Sequence, residues 1–212
     1  MNKIKNNFVK PDLLLSPKIA IIGSSGKLKG SNLGNKIDQY DEVIRFNRAP
    51  TEGYENDVGS KTTLRVANSH VFANLPIPNP GYTNQPQNFI SDIQNQNILL
   101  MAPKGIHWDL GNSRIDKSCK TFLFDWSSIS KIKEYVNYDS PRRDPFAGTI
   151  FTISCVMSGL KPDLYGFDTD EEINRTHYFG KRPPQANSSC HTISEDIRIL
   201  INLKNEEKIC II

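Results

Sequence analysis

The sequence predicts an α/β fold, with a central, mostly parallel sheet and helices on both faces. Three observations support this fold class. Residues 18–23, Lys-Ile-Ala-Ile-Ile-Gly, form a short β-branched run that ends at a glycine, as buried parallel strands do. A Gly/Ser-rich loop, a short helix and a second strand are expected next, which together make a βαβ unit. At 212 residues, with 37% apolar and 23% charged side chains, the chain is long enough for one domain with a sizeable core.

The other elements follow from hydrophobic pattern. Six strands are expected, at residues 18–23, 42–47, 62–67, 98–102, 120–124 and 163–167. Helices are expected over 32–40 and 148–159, and a long Pro/Gly-rich loop over 76–88. The pattern places four residues on the buried face of a last helix: Ile193, Ile197, Leu200 and Ile201. Residues 1–17 are expected to form an N-terminal arm, and residues 18–212 a single catalytic domain.

Charge and cysteine content exclude several function classes. The 26 basic and 23 acidic residues give a net charge of +3, which is too balanced for a typical nucleic-acid binder. No segment is apolar enough to span a bilayer and residues 1–17 contain no secretory leader, so a cytoplasmic location is expected, with peripheral membrane association left open. The four cysteines fit neither a disulfide framework nor a CxxC metal site, so free thiols are expected.

The glycine-rich loop after the first strand is a candidate anion site. Gly23-Ser-Ser-Gly26 and Gly30 lie between a predicted strand and a predicted helix, where backbone N–H groups can converge on a phosphate. The same residues also suit a tight turn that binds nothing. Asp41 lies about where a dinucleotide fold would carry its ribose-binding acid, so an enzyme that uses NAD or S-adenosylmethionine is an alternative.

A longer pattern is more specific, because it resembles the animal-type sialyltransferase family. Four parts of the sequence are similar to the family's four motifs, in the family's order: residues 19–63 to the large motif, 145–148 with 163–167 to the small motif, 176–179 (Thr-His-Tyr-Phe) to the His-Tyr motif, and His191 with the acids Glu195 and Asp196 to the very small motif.

The resemblance implies a single Rossmann-like domain of the GT-A-variant glycosyltransferase type. It also implies transfer of sialic acid, or a related nonulosonic sugar such as Kdo, from its CMP donor to a hydroxyl of an acceptor glycan, with inversion and without a metal or other cofactor. Asn47 stands at the end of an apolar strand, where open α/β sheets bind ligands, so it is assigned to the nucleotide, although it would also suit a turn before Pro50. With the residues that the resemblance implies, eight residues are expected to bind the CMP donor: Ser24, Ser25, Asn47, Phe146, Ala147, Gly148, Gly166 and Phe167.

Two histidines are the candidate catalytic residues. A hydroxyl nucleophile needs a base that titrates near the working pH, which favours histidine. His191 precedes a capping-box pattern, Thr192-Ile-Ser-Glu195, and the positive end of the helix that begins there should keep this histidine neutral. The leaving cytidine phosphate is already an anion, so His177 is expected to stabilise its charge rather than to act as a strong acid.

The sequence departs from the resembled family at several positions. Ser24 replaces an asparagine that helps hold the nucleotide, and Phe146 and Ala147 replace a Ser-Thr pair near the same ligand. A catalytically weak CMP-sugar-binding module is therefore a second alternative. Ile19 and Gly159 stand where the family has two cysteines bridged to each other.

An acidic stretch suggests a further alternative. Asp168-Thr-Asp170-Glu-Glu172 follows a predicted strand and resembles the DxD carboxylates with which many nucleotide-sugar transferases hold Mg²⁺ or Mn²⁺. The resembled family uses no metal, so we expect none here.

Overall fold

The computed structural model describes residues 16–73, 96–101, 109, 119–140, 142–170, 176–181 and 191–212. A seven-stranded parallel sheet forms the centre of this part of the chain, in the spatial order β5-β4-β3-β2-β1-β6-β9. Its strands are β1 Ile19–Ile22, β2 Glu42–Phe46, β3 Leu64–Ala67, β4 Asn97–Leu100, β5 Thr121–Leu123, β6 Asp163–Tyr165 and β9 Cys210–Ile211. The predicted fold class is confirmed, and each of the six predicted strands is present.

The order of the strands defines a doubly wound topology. The chain moves outward from β1 through β2, β3, β4 and β5, and then returns to the other side of β1 as β6. Ala20 of β1 lies opposite Val43 of β2 on one side and Asp163 of β6 on the other. The loops after β1 and β6 therefore leave the same edge of the sheet side by side. A separate antiparallel hairpin pairs β7 Thr176–His177 with β8 Gly180–Lys181.

The helices cover both faces of the sheet. They are α1 Gly34–Ile37, α2 Glu55–Val58, α3 Ser69–Phe72, α4 Ile129–Tyr135, α5 Ala147–Met157 and α6 Ile193–Asn205. Because side chains alternate along a strand, Ile19 and Ile21 of β1 join one buried cluster with residues of α5 and α6. Ala20 and Ile22 join a second cluster with residues of α1 and α2. This alternation explains why β1 is apolar at every position.

One expectation for the last helix is wrong. Ile197 and Leu200 are buried, but Ile201 is 36% exposed, and the buried stripe continues through Ile199 and Leu203 instead. Residue 201 lies about 100° around the helix from residue 200, outside the narrow stripe that meets the sheet. The predicted helix over 32–40 is also shorter than expected, because α1 is a single turn.

The remaining expectations concern termini, thiols and membranes. Residues 1–15 of the expected arm, the expected loop over 76–88 and Cys190 lie outside the described residues. Cys119 and Cys155 are buried free thiols, and Cys210 is an exposed one. Among the helices of the described ranges, none is long and apolar enough to cross a bilayer.

Candidate active site

A cavity of about 400 Å³ opens at the carboxyl edge of the sheet, beside the ends of β1 and β6. This is the point at which the strand order reverses, and the loops on either side diverge there. Open α/β sheets bind their ligands in such a crevice. The loops after β1, β2 and β6, the first turn of α5, the hairpin and the start of α6 all contribute to its walls.

Two glycines allow the loops after β1 and β6 to touch. The Gly23 amide donates to the Tyr165 carbonyl at 2.7 Å. A Cβ atom at Gly23 would lie 2.2 Å from the Gly166 carbonyl oxygen, closer than any packing tolerates. Gly166 itself has a φ of 68°, in the left-handed region that favours glycine. The backbones of both loops can therefore line the cavity directly.

The Ser24 carbonyl holds His177. It accepts hydrogen bonds from the Tyr178 amide at 3.1 Å and from His177 Nδ1 at 3.3 Å. Since a carbonyl oxygen only accepts, Nδ1 carries a proton in this arrangement. The imidazole also stacks on the Phe179 ring, with 4.8 Å between centroids and 7° between planes. Main-chain and ring contacts thus fix the orientation of this histidine.

The Ser25 hydroxyl makes two hydrogen bonds within the protein. Ser25 is only 6% exposed. Its Oγ donates to Asp168 Oδ1 at 2.5 Å and accepts from the Lys27 amide at 3.2 Å. This side chain therefore connects the loop after β1 to the loop after β6.

Asn47 presents an amide group at the end of β2. Its φ of 47° is left-handed, and its Oδ1 accepts a hydrogen bond from the Asn68 amide at 3.0 Å. Arg65 Nη1 donates to the carbonyls of Asn47 at 3.1 Å and of Ala49 at 2.9 Å, which fixes the turn. Asn47 Nδ2 donates no hydrogen bond to the described residues, and its two N–H groups suit an anionic ligand.

The N-terminus of α5 is capped by a carboxylate from α6. Phe146 is the N-cap residue and supplies no capping side chain. Asp196 Oδ1 instead accepts a hydrogen bond from the Phe146 amide at 2.8 Å. Asp196 is 4% exposed, and burial raises its pKa to about 6, although the Thr149 side chain and the Phe146 amide lower it.

His191 is oriented by the segment that precedes α5. Its Nδ1 lies 2.8 Å from the Asp144 carbonyl, so Nδ1 donates and Nε2 is the nitrogen that can accept a proton. The Phe146 ring packs against the imidazole, with centroids 4.3 Å apart. This tautomer suits a general base.

The capping box predicted after His191 is wrong in detail. Thr192 is the N-cap of α6, but its side chain makes no capping hydrogen bond among the described residues. Glu195 binds elsewhere, because its carboxylate accepts from the Asp139 amide and from Arg198. The position of His191 just before the helix is as expected.

The structure brings together every residue that the sequence singled out for the site. Ten residues predicted from four separate motifs line the one cavity: Ser24, Ser25, Asn47, Phe146, Ala147, Gly148, Gly166, Phe167, His177 and His191. Their individual roles stay predictions. Sequence reasoning did not assign Asp168 or Asp196 to the site, although both line the cavity. The sequence held a signal for each, since Asp168 directly follows the small-motif segment 163–167 and Asp196 belongs to the very small motif.

The position of Asp41 removes support for a dinucleotide enzyme. Asp41 precedes β2, at the amino edge of the sheet, and its carboxylate accepts from the Ser16 hydroxyl at 2.5 Å. The cavity lies at the opposite edge. A ribose bound at the cavity is out of reach of this acid.

The structure describes the acidic stretch only in part. Asp168 and Asp170 line the cavity, and Glu172 lies outside the described residues. Within the part of the chain that the structure describes, no group of three or more His, Cys, Asp or Glu side chains is arranged to hold a metal ion.

The family follows from comparison of the whole chain with known proteins. The family model described as glycosyltransferase family 29 (sialyltransferase) matches residues 16–208, nearly all of the sequence. The chain belongs to glycosyltransferase family 29. The resemblance drawn from the motifs is thereby confirmed.

Curated members of family 29 are similar to this chain over different spans. A pig CMP-N-acetylneuraminate-beta-galactosamide-alpha-2,3-sialyltransferase 1 is 30% identical over 182 residues, which cover 78% of this chain and 48% of the pig protein. A human beta-galactoside alpha-2,6-sialyltransferase 2 is 40% identical over 90 residues, covering 42% of this chain and 14% of the human protein. The chain thus spans about half the length of the pig relative.

A solved structure of the family has the same fold. A crystal structure of a mammalian sialyltransferase in complex with Gal-beta-1-3GalNAc-ortho-nitrophenol superposes with a TM-score of 0.68 at 25% sequence identity. The superposition covers 97% of this chain and 72% of the mammalian one. The Rossmann-like architecture expected from the resemblance is therefore confirmed.

The expected cytoplasmic location is wrong. The chain matches the sialyltransferase family along residues 16–208, and the homologous animal sialyltransferases are Golgi-lumenal enzymes. The expectation relied on finding no leader, and the missing cysteine pair at Ile19 and Gly159 agreed with a reducing compartment. A leader is not part of the catalytic fold, and a parallel sheet with a large core does not need a disulfide, so neither observation reports the compartment.

Proposed function

We propose that this chain transfers sialic acid from CMP-sialic acid to a hydroxyl of an acceptor glycan, with inversion and without a metal ion. The observation that carries the proposal is the meeting of ten motif residues around one cavity, with His191 in the tautomer of a base. The cavity volume of about 400 Å³ lies in the range of small-molecule sites.

Donor binding rests on neutral hydrogen-bond donors rather than on a cation. The donor carries a phosphate and a carboxylate. Asn47, the first turn of the 11-residue helix α5 and His177 all line the cavity. Amide donors and the positive end of a helix stabilise anions without a metal.

His191 acts as the base. The acceptor oxygen attacks C2 of the sialic acid, the bond from C2 to the phosphate oxygen breaks, and the acceptor proton passes to His191 Nε2. CMP leaves as an anion whose charge His177 stabilises by hydrogen bonding. A single displacement inverts the configuration at C2. The two histidines come from different elements, the hairpin and the segment before α6, and both line the cavity.

Transfer rates of two matched variants test whether His191 is the base. His191→Ala is expected to lower the transfer rate about 100-fold or more while the affinity for CMP changes little. Ser194→Ala, an exposed change three residues along, is the matched control and should keep the wild-type rate. Equal transfer rates for His191→Ala and wild type would exclude His191 as the base.

The same assay tests the other parts of the proposal. Transfer is measured in EDTA with CMP-sialic acid and with CMP-Kdo, and the anomeric configuration of the product is determined by NMR. Loss of activity in EDTA contradicts metal independence, and retained configuration contradicts single displacement. Transfer from CMP-Kdo alone would change the donor sugar and leave the chemistry intact.

A CMP-sugar-binding module is the second candidate. Phe146 and Ala147 offer no hydroxyl at the N-terminus of α5, where the resembled family has a Ser-Thr pair. This candidate predicts a thermal shift with CMP but no transfer to any acceptor. A shift with NAD or S-adenosylmethionine and none with CMP would contradict both candidates.

A further inference from the structure

Asp168 is a cavity carboxylate to which the proposed chemistry assigns no task. It lies two residues after Gly166, in the loop that follows β6. Its Oδ1 accepts the Ser25 hydroxyl at 2.5 Å, and Ser25 is almost fully buried. Within the described part of the chain, Asp168 Oδ2 makes no hydrogen bond. The side chain is thus oriented through one oxygen, and Asp168 lines the cavity, which leaves the second oxygen for a ligand.

The chemistry of a carboxylate restricts what this oxygen can bind. An ionised carboxylate only accepts hydrogen bonds, and it repels the phosphate and the carboxylate of a CMP-activated acidic sugar. The donor groups of the nucleotide are the ribose hydroxyls and the cytosine amino group. In dinucleotide-binding α/β sheets, an acidic residue about 20 residues beyond the glycine-rich loop accepts a hydrogen bond from a ribose hydroxyl, so a carboxylate at this edge of a sheet is chemically suited to bind a ribose. Asp168 lies at this edge, joined by Ser25 to the glycine-rich loop after β1.

We propose that Asp168 accepts a hydrogen bond from the ribose hydroxyls of the bound nucleotide and so selects ribonucleotides over deoxyribonucleotides. Ser25 is a positioning residue, because its hydroxyl donates to Asp168 and its own oxygen accepts from the Lys27 amide. This inference rests on the proposed use of a CMP donor. It adds a residue that reads the ribose and that the sequence motifs did not assign.

Binding measurements with a nucleotide panel test the proposal. Calorimetric titration with CMP, 2′-deoxy-CMP, 3′-deoxy-CMP and UMP gives the affinity ratios for each variant. Wild type is expected to bind CMP about tenfold or more tightly than at least one deoxy analogue, since a lost hydrogen bond to a charged group has about that effect. Asp168→Ala is expected to bring that ratio close to one. Asp168→Asn, which keeps one acceptor oxygen, is expected to give an intermediate ratio.

Two further variants distinguish recognition of the ribose from a general effect of charge, and thermal unfolding distinguishes it from loss of folding. Asp170→Ala removes the same charge from the same cavity, so it should change the affinity for all four nucleotides by one common factor. Ser25→Ala is expected to lower the ratio of CMP to deoxy-CMP affinity less than Asp168→Ala does, because the carboxylate stays but loses its orienting partner. Thermal unfolding of each variant verifies that it is folded.

Each outcome has one meaning. A ratio that Asp168→Ala leaves unchanged overturns the proposal, and so does a change confined to the CMP-to-UMP ratio, which would place Asp168 at the cytosine amino group. Wild-type protein that binds no CMP would overturn the proposed function itself, and is thereby distinguished from a failure of the ribose contact alone.

Discussion

The buried carboxyl of Asp196 predicts a measurable pH dependence of stability. Burial raises the pKa of this group to about 6, from an ordinary value of 3.8. Between these two values the folded protein binds more protons than the unfolded chain, so the free energy of unfolding falls as the pH rises. The protonated Asp196 contributes its full stabilisation below about pH 4, and this contribution is lost as the pH rises through about 6. The difference in pKa corresponds to about 3 kcal/mol in the free energy of unfolding.

The replacement Asp196→Asn removes this titration and keeps an oxygen that can accept from the Phe146 amide. The unfolding free energy of wild type minus that of the variant should fall by about 3 kcal/mol between about pH 4 and pH 7. Urea titrations at half-unit pH steps measure both free energies, and the titration of groups that do not interact with Asp196 cancels in the difference.

The adjacent residue offers a control of opposite sign. The Arg198 side chain and the Asp139 amide lower the pKa of Glu195, although its partial burial opposes this. Glu195→Gln should therefore remove a stabilisation that is present above the ordinary pKa and lost as the pH falls. A wild-type-minus-Asp196→Asn difference that is flat from pH 4 to pH 7 would refute the reasoning for Asp196.

Three further predictions concern packing, positioning and thiol reactivity. Gly23→Ala should lower the free energy of unfolding in urea by about 3 kcal/mol, because its methyl group would lie 2.2 Å from the Gly166 carbonyl oxygen; wild-type stability would contradict this. Arg65→Lys should weaken CMP binding about threefold to tenfold, since lysine has one nitrogen and cannot bond to Gln96, as Arg65 Nε does, while also holding the two carbonyls of the turn after β2. Calorimetry measures the affinity, and an unchanged value would show that this turn does not bind the nucleotide. Cys155, whose pKa burial raises, should react with a thiol reagent only on unfolding, whereas the exposed Cys210 should react in the native protein; peptide mapping after timed labelling shows which cysteine reacts first.

The fold was predictable where its signals are local. The run 18–23 and its five counterparts are short apolar segments ended by turn residues, and each became a strand of the sheet. β9 and the hairpin were missed because two-residue strands carry no pattern of their own. They form only where a partner is already in place, as β6 is for β9.

The site was predictable as a set of residues but not as a network. The motifs named residues far apart in sequence, and the parallel sheet brought them to one edge. The hydrogen bonds that orient them join Ser25 to Asp168 and the Phe146 amide to Asp196, across 143 and 50 positions of the chain. Such pairings depend on the register of the sheet and on helix placement, which single-sequence patterns do not specify.

The hydrogen bonds that hold His177 determine which substitutions at residue 24 the site can accept. The hairpin histidine is held by the main-chain oxygen of residue 24, and every amino acid supplies that atom. The serine that stands where the resembled family has an asparagine therefore alters what the cavity offers to a ligand without releasing the histidine. The main chain at position 24 is constrained by its hydrogen bonds to the hairpin, whereas its side chain takes no part in them and can vary. Under the proposed function, substitutions of the residue 24 side chain are expected to change donor binding while the main-chain hydrogen bonds to the hairpin stay in place.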